Sequence, residues 1–588
     1  MQRSKLPGPR LWIAGVSTVA ILLGCEAQPI KDQAANGNQP NTQEETKLGA
    51  GKKDESVAAG GIVQGAPAPG ADRATGAAAT FPPQDSSAIV MPAPPGALMG
   101  GYMAPGEPMI QPIPGEGENY LAVDESTVKQ VAQAPVSTFS IDVDTGAYAN
   151  VRRFLMNGQM PPKDAVRVEE MINYFSYDYP APEPGGEPFR VTTSVAKTPW
   201  NPETHLLHIG IKGYAPPPAE RPAANLVFLV DVSGSMNQPD KLPLLQAGMK
   251  ILTDQLRDDD KVTIVVYAGA AGLVLEPTAG KEKAKIKAAL DRLRAGGSTA
   301  GGQGLALAYA KAKEARIDGG INRIILATDG DFNVGVTDIG QLKGMVEDAR
   351  ESGVSLTTLG FGEGNYNDAL MEQIADVGNG NYGYVDSLKE AKRLLADQLS
   401  GTIQTIAKDV KIQIEFNPDV VAEYRLVGYE NRALAREDFN NDRKDAGEIG
   451  AGHTVTAVYE IALKGSKGLA VDPLRYGEHA DERVDPRAAE FAFLRLRYKA
   501  PEGDVSKLIE TPLLVSALTE AGDAPSDARF AAAVAAFGQK LRGGDYVGAW
   551  GYDQIAEAAR AARGSDGDGY RAEFIELVEM AKALDSGS

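Results

Sequence analysis

Hydrophobic and polar positions alternate with two different periods between residues 223 and 402. Short apolar runs are separated by stretches in which apolar residues recur at helical spacing, such as Leu245, Met249, Leu252 and Leu256. Strands that alternate with helices are typical of a parallel sheet covered by helices. We predict the strands Leu226–Val230, Val262–Tyr267, Ile324–Thr328, Ser355–Gly360 and Tyr382–Val385. We predict further helices near residues 281–293, 304–315, 339–351, 369–377 and 388–399.

Strand-like patterns lie on both sides of this unit. Before it, residues 138–144 alternate, helices are predicted at 148–156 and 166–174, and strands follow at 189–196 and 205–211. After it, we predict strands at 410–416, 424–429, 454–463 and 491–498. Two strands alone do not make a stable sheet. We therefore predict one β-rich domain shared by both flanks, with the α/β unit inserted into it.

The Ala-rich sequence from Leu508 onward predicts a C-terminal helical region, with helices at 529–541 and 552–562. Near the start of the folded part, Thr145 is a candidate helix cap. Asp142 and Asp144 are either a pair of metal ligands or, as we favour, turn residues at a strand end.

The N-terminal part has a different composition. Basic residues precede an apolar stretch from Leu11 to Leu23, which is too short for a confident membrane span and resembles a signal peptide. It ends at Gly24-Cys25, which resembles a bacterial lipobox, so Cys25 is expected to carry lipid. Cys25 is the single cysteine of the chain, which excludes an internal disulfide. Residues 26–135 are rich in Pro, Gly and Ala and are expected to form a disordered tether.

The net negative charge argues against nucleic acid as a partner. The 588-residue chain has a formal net charge of −20, whereas nucleic-acid binding requires a basic face. The four histidines show no zinc-finger or HExxH spacing, and no phosphate-binding GxxxxGK[ST] loop is present.

Oxygen-bearing side chains follow two of the predicted strands. Asp231, Ser233 and Ser235 come directly after the first strand, and Asp329 follows the third. A glycine-rich loop, residues 296–299, ends in the hydroxyl of Thr299. Ligands of open α/β sheets bind beyond the carboxyl ends of the strands, and small hard cations prefer oxygen ligands. A divalent metal site at this edge is the prediction.

These three segments together resemble the metal-ion-dependent adhesion site of von Willebrand factor type A domains. The resemblance implies a doubly wound, Rossmann-like α/β fold. It also implies that Asp231, Ser233, Ser235, Thr299 and Asp329 hold Mg2+, or Mn2+ or Ca2+ in its place, with a partner's Asp or Glu carboxylate completing the coordination. Since loop ligands are usually exposed, we expect Asp231→Ala to have little effect on the fold.

Residues 140–148, 328–335 and 445–454 are similar to signatures of a bacterial family of lipoproteins with this domain. Its members add an N-terminal flanking region and a C-terminal domain of unknown function. The resemblance implies these segments: signal peptide 1–25, tether 26–135, flanking α+β domain 136–222, type A domain 223–402, and C-terminal domain 403–588, β-rich and then helical.

Three functions are weighed. The favoured one is a non-enzymatic protein-binding module, anchored by lipid in the cell envelope. The outer membrane is favoured because Glu26 follows the cysteine, and the protein faces the periplasm or the cell surface. The second is a structural envelope lipoprotein whose type A domain is only a scaffold. The third is a metal-dependent hydrolase, for which Asp331 and Glu363 are the candidate bases.

Overall fold

The computed structural model describes residues 117–122, 124–297, 301–330, 339–364, 366–472 and 489–586. The predicted signal peptide, Cys25 and the tether up to residue 116 lie outside the described residues. Among the helices described, none has the length and apolar character needed to cross a bilayer.

The last part of the predicted tether packs against the folded protein. Glu118 forms an ion pair with Arg153 at 2.8 Å, and residues 129–130 pair with the strand that contains Tyr424. The described residues between 117 and 135, which composition assigned to the tether, are therefore part of the folded structure. The reason is that acidic side chains in this segment meet buried arginines of the core.

The segment before the α/β domain supplies four strands and two helices. They are β1 (Lys129–Gln130), β2 (Val136–Ser140), α1 (Gly146–Met156), α2 (Val168–Asn173), β3 (Phe189–Thr198) and β4 (Asn201–Gly213).

The α/β domain follows, with a six-stranded sheet in the order β10-β9-β8-β5-β6-β7. Its strands are β5 (Ala224–Asp231), β6 (Lys261–Tyr267), β7 (Ala271–Ala279), β8 (Ile321–Thr328), β9 (Ser355–Phe361) and β10 (Tyr382–Val385). Its helices are α3 (Leu242–Gln255), α4 (Lys283–Leu290), α5 (Gly301–Glu314), α6 (Ile339–Arg350), α7 (Asp368–Val377), α8 (Leu388–Lys392) and α9 (Leu399–Ile403), with a π-helical turn, Arg393–Asp397, after α8.

Both faces of this sheet are buried, which explains the continuous apolar run of β5. Phe228 and Val230 pack with α3, α4 and α8 on one face, and Val227 and Leu229 pack with α5, α6 and α7 on the other. The predicted doubly wound fold is confirmed. Strand β7 was missed, because its Gly- and Pro-containing sequence lacks a strand period; it pairs antiparallel with β6 at the sheet edge.

Among its described residues, the C-terminal segment contributes seven strands and three α-helices. They are β11 (Thr405–Phe416), β12 (Val421–Val427), β13 (Ile449–Gly450), β14 (Thr454–Leu463), β15 (Glu490–Lys499), β16 (Lys507–Leu514), β17 (Leu518–Thr519), α10 (Ser526–Arg542), α11 (Tyr552–Ala561) and α12 (Tyr570–Asp585). The expectation of helix from Leu508 was wrong: β16 pairs with β15 as a partly exposed edge strand, and helices begin at Ser526.

Strands from both flanks form one β sandwich. In the first sheet, β4 lies between β3 and β14, with His208 opposite Val458. In the second, β11 lies between β2 and β15. The two sheets bury a common core that includes Phe139, Ile209 and Tyr459. The α/β domain is therefore inserted between strands of the sandwich, as the shortage of strands before it predicted.

The C-terminal helices pack against α1 and α2. Phe574 forms edge-to-face aromatic pairs with Phe530 and Phe537. Phe175 forms such pairs with Phe530 and Phe574. The first and last parts of the folded chain thus share a second apolar core.

Buried arginines join the α/β domain to its flanks. Arg432, which follows β12, contacts Asp142, Asp144, Glu372 and Asp376 at 3.4, 3.1, 3.2 and 2.6 Å. Asp142 and Asp144 lie between β2 and α1. Glu372 and Asp376 lie on α7. Asp142 and Asp144 are the strand-end turn residues that we favoured, since the N–H of Asp144 donates to Oδ1 of Asp142 at 2.9 Å. They also belong to an ion-pair cluster, which the sequence did not predict.

Three more arginines extend this arrangement. Arg167 contacts Asp368 at 2.5 Å, and Arg152 contacts Asp386, Glu390 and Glu573 at 2.5, 2.9 and 2.9 Å. Arg393 donates to the hydroxyl of Thr145 at 2.7 Å, so Thr145 anchors an arginine and its side chain does not cap α1. We refer to these arginines and their carboxylates as the junction cluster.

Removing Arg432 should destabilise the protein strongly, because four carboxylates would lose their shared cation in a buried site. We expect Arg432→Met to lower the free energy of unfolding by about 3–5 kcal/mol. Arg560→Met is the control, since its ion pair with Glu579 is half exposed and should matter by about 0.5 kcal/mol or less. Urea denaturation measures both; equal effects would contradict the assigned role of Arg432.

Glu169, a buried carboxyl near Asp142 of the junction cluster, predicts a pH dependence of stability. Burial raises the pKa of the Glu169 carboxyl to about 8, helped by the charges of Glu430 and Asp142. A carboxyl whose folded pKa is raised stabilises the fold at low pH and loses that contribution as pH rises through the folded value. Stability should therefore fall between about pH 5 and pH 8, by about 1.4 kcal/mol per pH unit for each such group.

Glu169→Gln should flatten this pH profile, because a neutral amide can still accept the hydrogen bond from the Tyr429 N–H, now 3.0 Å long. The exposed Glu557 on α11 supplies the control, Glu557→Gln. Unfolding midpoints across this pH range decide the matter. An unchanged slope in Glu169→Gln would show that Glu169 does not titrate as described.

Candidate metal site at the carboxyl edge of the parallel sheet

Two neighbouring parallel strands bring the predicted ligands to one edge. Val230 of β5 pairs with Ala327 of β8, so Asp231 and Thr328 lie side by side where the strands end. Asp329 follows immediately. The hydroxyl of Thr328 donates to Oδ2 of Asp231 at 2.9 Å, which ties the two strand ends together.

The loop after β5 places three of the predicted ligands close together. The N–H of Ser233 donates to Oδ1 of Asp231 at 2.8 Å, which closes a tight turn. The hydroxyls of Ser233 and Ser235 lie 3.0 Å apart, and Ser235 is in the short 3-10 helix Gly234–Asn237. One carboxylate and two hydroxyls therefore converge within five residues.

The glycine-rich loop is fastened to this turn. The N–H of Gly296 donates to the carbonyl of Val232 at 2.8 Å, and the N–H of Gly234 donates to the carbonyl of Gly297 at 3.0 Å. The chain leading to Thr299 thus starts beside Ser233. Thr299 itself lies outside the described residues.

Asp231 is fully buried, contrary to the expectation of an exposed ligand. Its exposed fraction is 0%, because the strand end lies under the loops and against Tyr267. Burial raises the pKa of Asp231; the nearby charge of Asp329 acts in the same direction, whereas the hydrogen bonds from Ser233 and Thr328 oppose it. Asp231→Ala would therefore leave several buried groups without partners, and Asp231→Asn is the better test of its charge.

Asp329 is also buried, with 1% of its surface exposed, and it contacts a lysine. The ammonium of Lys241 lies 3.0 Å from Oδ2 of Asp329. Gly330 follows with φ +88°, and a Cβ there would come within 2.5 Å of the backbone nitrogen of Asn367. Only glycine lets the chain turn away directly after this carboxylate.

The donor set fits a small hard cation. Two buried carboxylates lie close enough for one to raise the pKa of the other, and neutral hydroxyls lie beside them. A divalent ion would relieve the repulsion and could accept oxygen ligands from Asp231, Ser233, Ser235 and Asp329. The described residues contain no group of three or more His, Cys, Asp or Glu side chains arranged to hold a metal. The candidate site contains only two carboxylates, those of Asp231 and Asp329, and its other ligands would be hydroxyls.

Sequence reasoning missed three side chains of this edge: Thr328, Tyr267 and Lys241. Thr328 could have been found, because it precedes Asp329 at the end of a buried strand. Lys241 gave no sequence signal, since it belongs to the start of α3 and reaches Asp329 only through the fold.

The candidate bases for hydrolysis receive no support from the described rim. Glu363 accepts from Arg153 and Asn157, each at 3.2 Å, and so takes part in a structural ion pair. Asp331 lies outside the described residues. Two other cavities, of about 850 and 770 Å3, are lined by other parts of the molecule, including Asp527 and Arg571 in the first and Arg323 in the second.

Family comparisons agree with this fold. The model of the von Willebrand factor type A domain matches residues 225–397, and the model "Uncharacterized protein YfbK, C-terminal" matches residues 401–584. A third, described as von Willebrand factor, matches residues 114–208.

Similar proteins include a close relative and two distant structures. Protein YfbK of Escherichia coli (strain K12) is 50% identical over 474 residues, which are 79% of this chain and 81% of the relative. The von Willebrand factor type A structure from Catenulispora acidiphila is 17% identical, with a TM-score of 0.36, over 63% of this chain and 87% of that one. Proximal thread matrix protein 1 from the mussel byssus, titled as having a zinc-occupied MIDAS motif, is 23% identical, with a TM-score of 0.25, over 30% of this chain and 45% of that one. Half of the aligned residues of this chain are identical in YfbK, and the alignment covers most of both proteins. The chain therefore belongs to the YfbK family of von Willebrand factor type A domain proteins.

Proposed function

We propose that this protein is a lipid-anchored component of the cell envelope that binds a divalent metal and uses it to bind a partner protein. The observation that carries the proposal is the meeting of Asp231, Ser233 and Ser235 with Asp329 at the carboxyl edge of the sheet. Mg2+ is the expected ion, with Mn2+ or Ca2+ as substitutes.

An acidic side chain is the ligand that this site would select. Hydroxyls carry no charge, so a cation held mainly by hydroxyls and few carboxylates keeps a strong attraction for another anion. A partner's Asp or Glu would fill an open coordination position. Binding would then require both the metal and the partner's carboxylate, and a chelator would abolish it.

Anchoring follows from the sequence around Cys25. An apolar stretch precedes this cysteine, and a Pro/Gly/Ala-rich segment separates it from the folded part. A diacylated or triacylated cysteine would hold the protein firmly at a membrane. We propose the outer membrane, with the type A domain facing the periplasm or the cell surface.

A scaffold role is the second candidate, and one observation favours it. The ammonium of Lys241 already neutralises Asp329, so that carboxylate has a partner without any metal. In that case the edge residues would serve only the fold. Titration with metal separates the two proposals.

We expect the purified protein to bind one Mg2+ or Mn2+ per chain in isothermal titration, and Asp231→Asn to lose this binding at millimolar metal. The variant keeps the side chain's shape and removes one ligand charge. Asp254→Asn is the matched control, because it removes the same charge from an exposed position on α3. Equal binding by the parent and Asp231→Asn, or no binding by either, would leave the scaffold role in front.

The same pair of variants tests partner binding. Envelope extracts passed over the immobilised parent should yield a partner in Mg2+ that is released by chelator. Asp231→Asn should not retain that partner, whereas Asp254→Asn should. A partner held equally by all three proteins would show that the metal site is not the binding surface.

We expect Cys25→Ser to release the protein from membranes, because a serine hydroxyl cannot form the thioether that carries the lipid. Cell fractionation followed by immunoblotting measures the membrane-bound share. Cys25 is the only cysteine, so the substitution changes no disulfide. A variant as firmly membrane-bound as the parent would contradict lipid anchoring at this residue.

A further inference from the structure

A lysine is the third buried charge at the carboxyl edge. Lys241 precedes α3, and only 2% of its surface is exposed. Its ammonium lies 3.0 Å from Oδ2 of Asp329. Lysine is rarely buried to this extent unless it is paired.

The path of this side chain is fixed along its whole length. Gly362, at φ +71° in the loop after β9, gives room for it: a Cβ there would lie 2.1 Å from Cε of Lys241 and 2.5 Å from its Cγ. The backbone is also held, because its N–H donates to Gln238 and its carbonyl accepts from Leu245. The side chain of Lys241 therefore has little conformational freedom, and its ammonium stays beside Asp329.

We propose that Lys241 sets the charge of the metal site so that metal binding requires an anionic partner group. The inference rests on the proposed function and deepens it. Two carboxylates and one ammonium leave the described edge with one net negative charge. A divalent ion then makes the edge net positive by one unit. A partner's carboxylate would restore neutrality.

Without the ammonium, the result would be different. Asp231 and Asp329 alone would neutralise a divalent ion, and no further anion would be needed. Lys241 thus weakens binding of the metal alone and increases its dependence on a carboxylate. At an effective dielectric of about 20, a unit charge ~6 Å from a divalent ion changes its affinity by well over tenfold.

Mn2+ titration of the full purified chain tests this with acetate absent or present. Lys241→Met keeps the methylene stem against Gly362 and removes the charge. We expect Lys241→Met to bind Mn2+ at least ~10-fold more tightly than the parent. Added acetate should tighten binding by the parent and have little effect on Lys241→Met.

Two further variants complete the test. Lys241→Gln keeps a hydrogen-bond donor without the charge and should behave like Lys241→Met. Lys250→Met, also on α3, removes a partly exposed lysine that pairs with Asp291 and should bind Mn2+ like the parent. Thermal unfolding with and without Mn2+ provides a second readout: the metal should stabilise Lys241→Met more than the parent.

Equal or weaker Mn2+ binding by Lys241→Met would overturn the inference, because Lys241 would then only position Asp329, while the proposed metal function would stand. Acetate dependence that persists in both Lys241 variants would overturn it as well. Absence of Mn2+ binding in every variant would refute the metal site itself, and the inference with it.

Discussion

Buried arginines that neutralise an excess of buried carboxylates are the interaction on which this structure depends. Arg432 follows a strand of the sandwich, and it forms ion pairs with carboxylates of two other parts of the chain. These are the segment before α1 and helix α7. Arg152 joins α1 to the end of the α/β sheet and to α12. Such pairs cost desolvation energy, and they tolerate little change because loss of one partner leaves charges uncompensated. They hold the inserted α/β domain in one orientation relative to the two flanks.

The same orientation brings Glu118 to the rim of the candidate metal site. Glu118 accepts the N–H of Gly364 at 3.0 Å and pairs with Arg153, which also contacts Glu363. The neighbouring Gly362 accommodates the stem of Lys241, and Lys241 contacts Asp329. The loop that contains Gly362 and Gly364 is therefore packed against Glu118 on one side and against Lys241 on the other. This packing forms a second layer of contacts behind the carboxyl edge, where Ser233 is buried and Ser235 is partly buried.

Burial and charge at this edge favour a cation. Asp231 is fully enclosed, its pKa is raised by burial and by Asp329, and its oxygens accept hydrogen bonds from Ser233 and Thr328. Lys241 compensates only one of the two carboxylates. This balance of charge is the physical basis of the proposed metal-dependent binding of an acidic partner.

The sequence by itself determined the type of most main elements and identified candidate metal ligands at the strand ends, since apolar periodicity and short motifs are local properties. Strands β10 and β14 were predicted at their observed bounds, and Asp231 and Asp329 were identified from their places after buried runs. Only the tertiary structure decided what these residues contact. Strand β7 was missed because its Gly- and Pro-containing sequence lacks a strand period, and β16 was missed because most of its residues are exposed or only partly buried. The partnership of Asp142 with Arg432, and of Asp329 with Lys241, joins residues 290 and 88 positions apart. Contacts between residues so far apart in the sequence depend on how the sheets pack around a shared core, and no local pattern in the sequence predicts them.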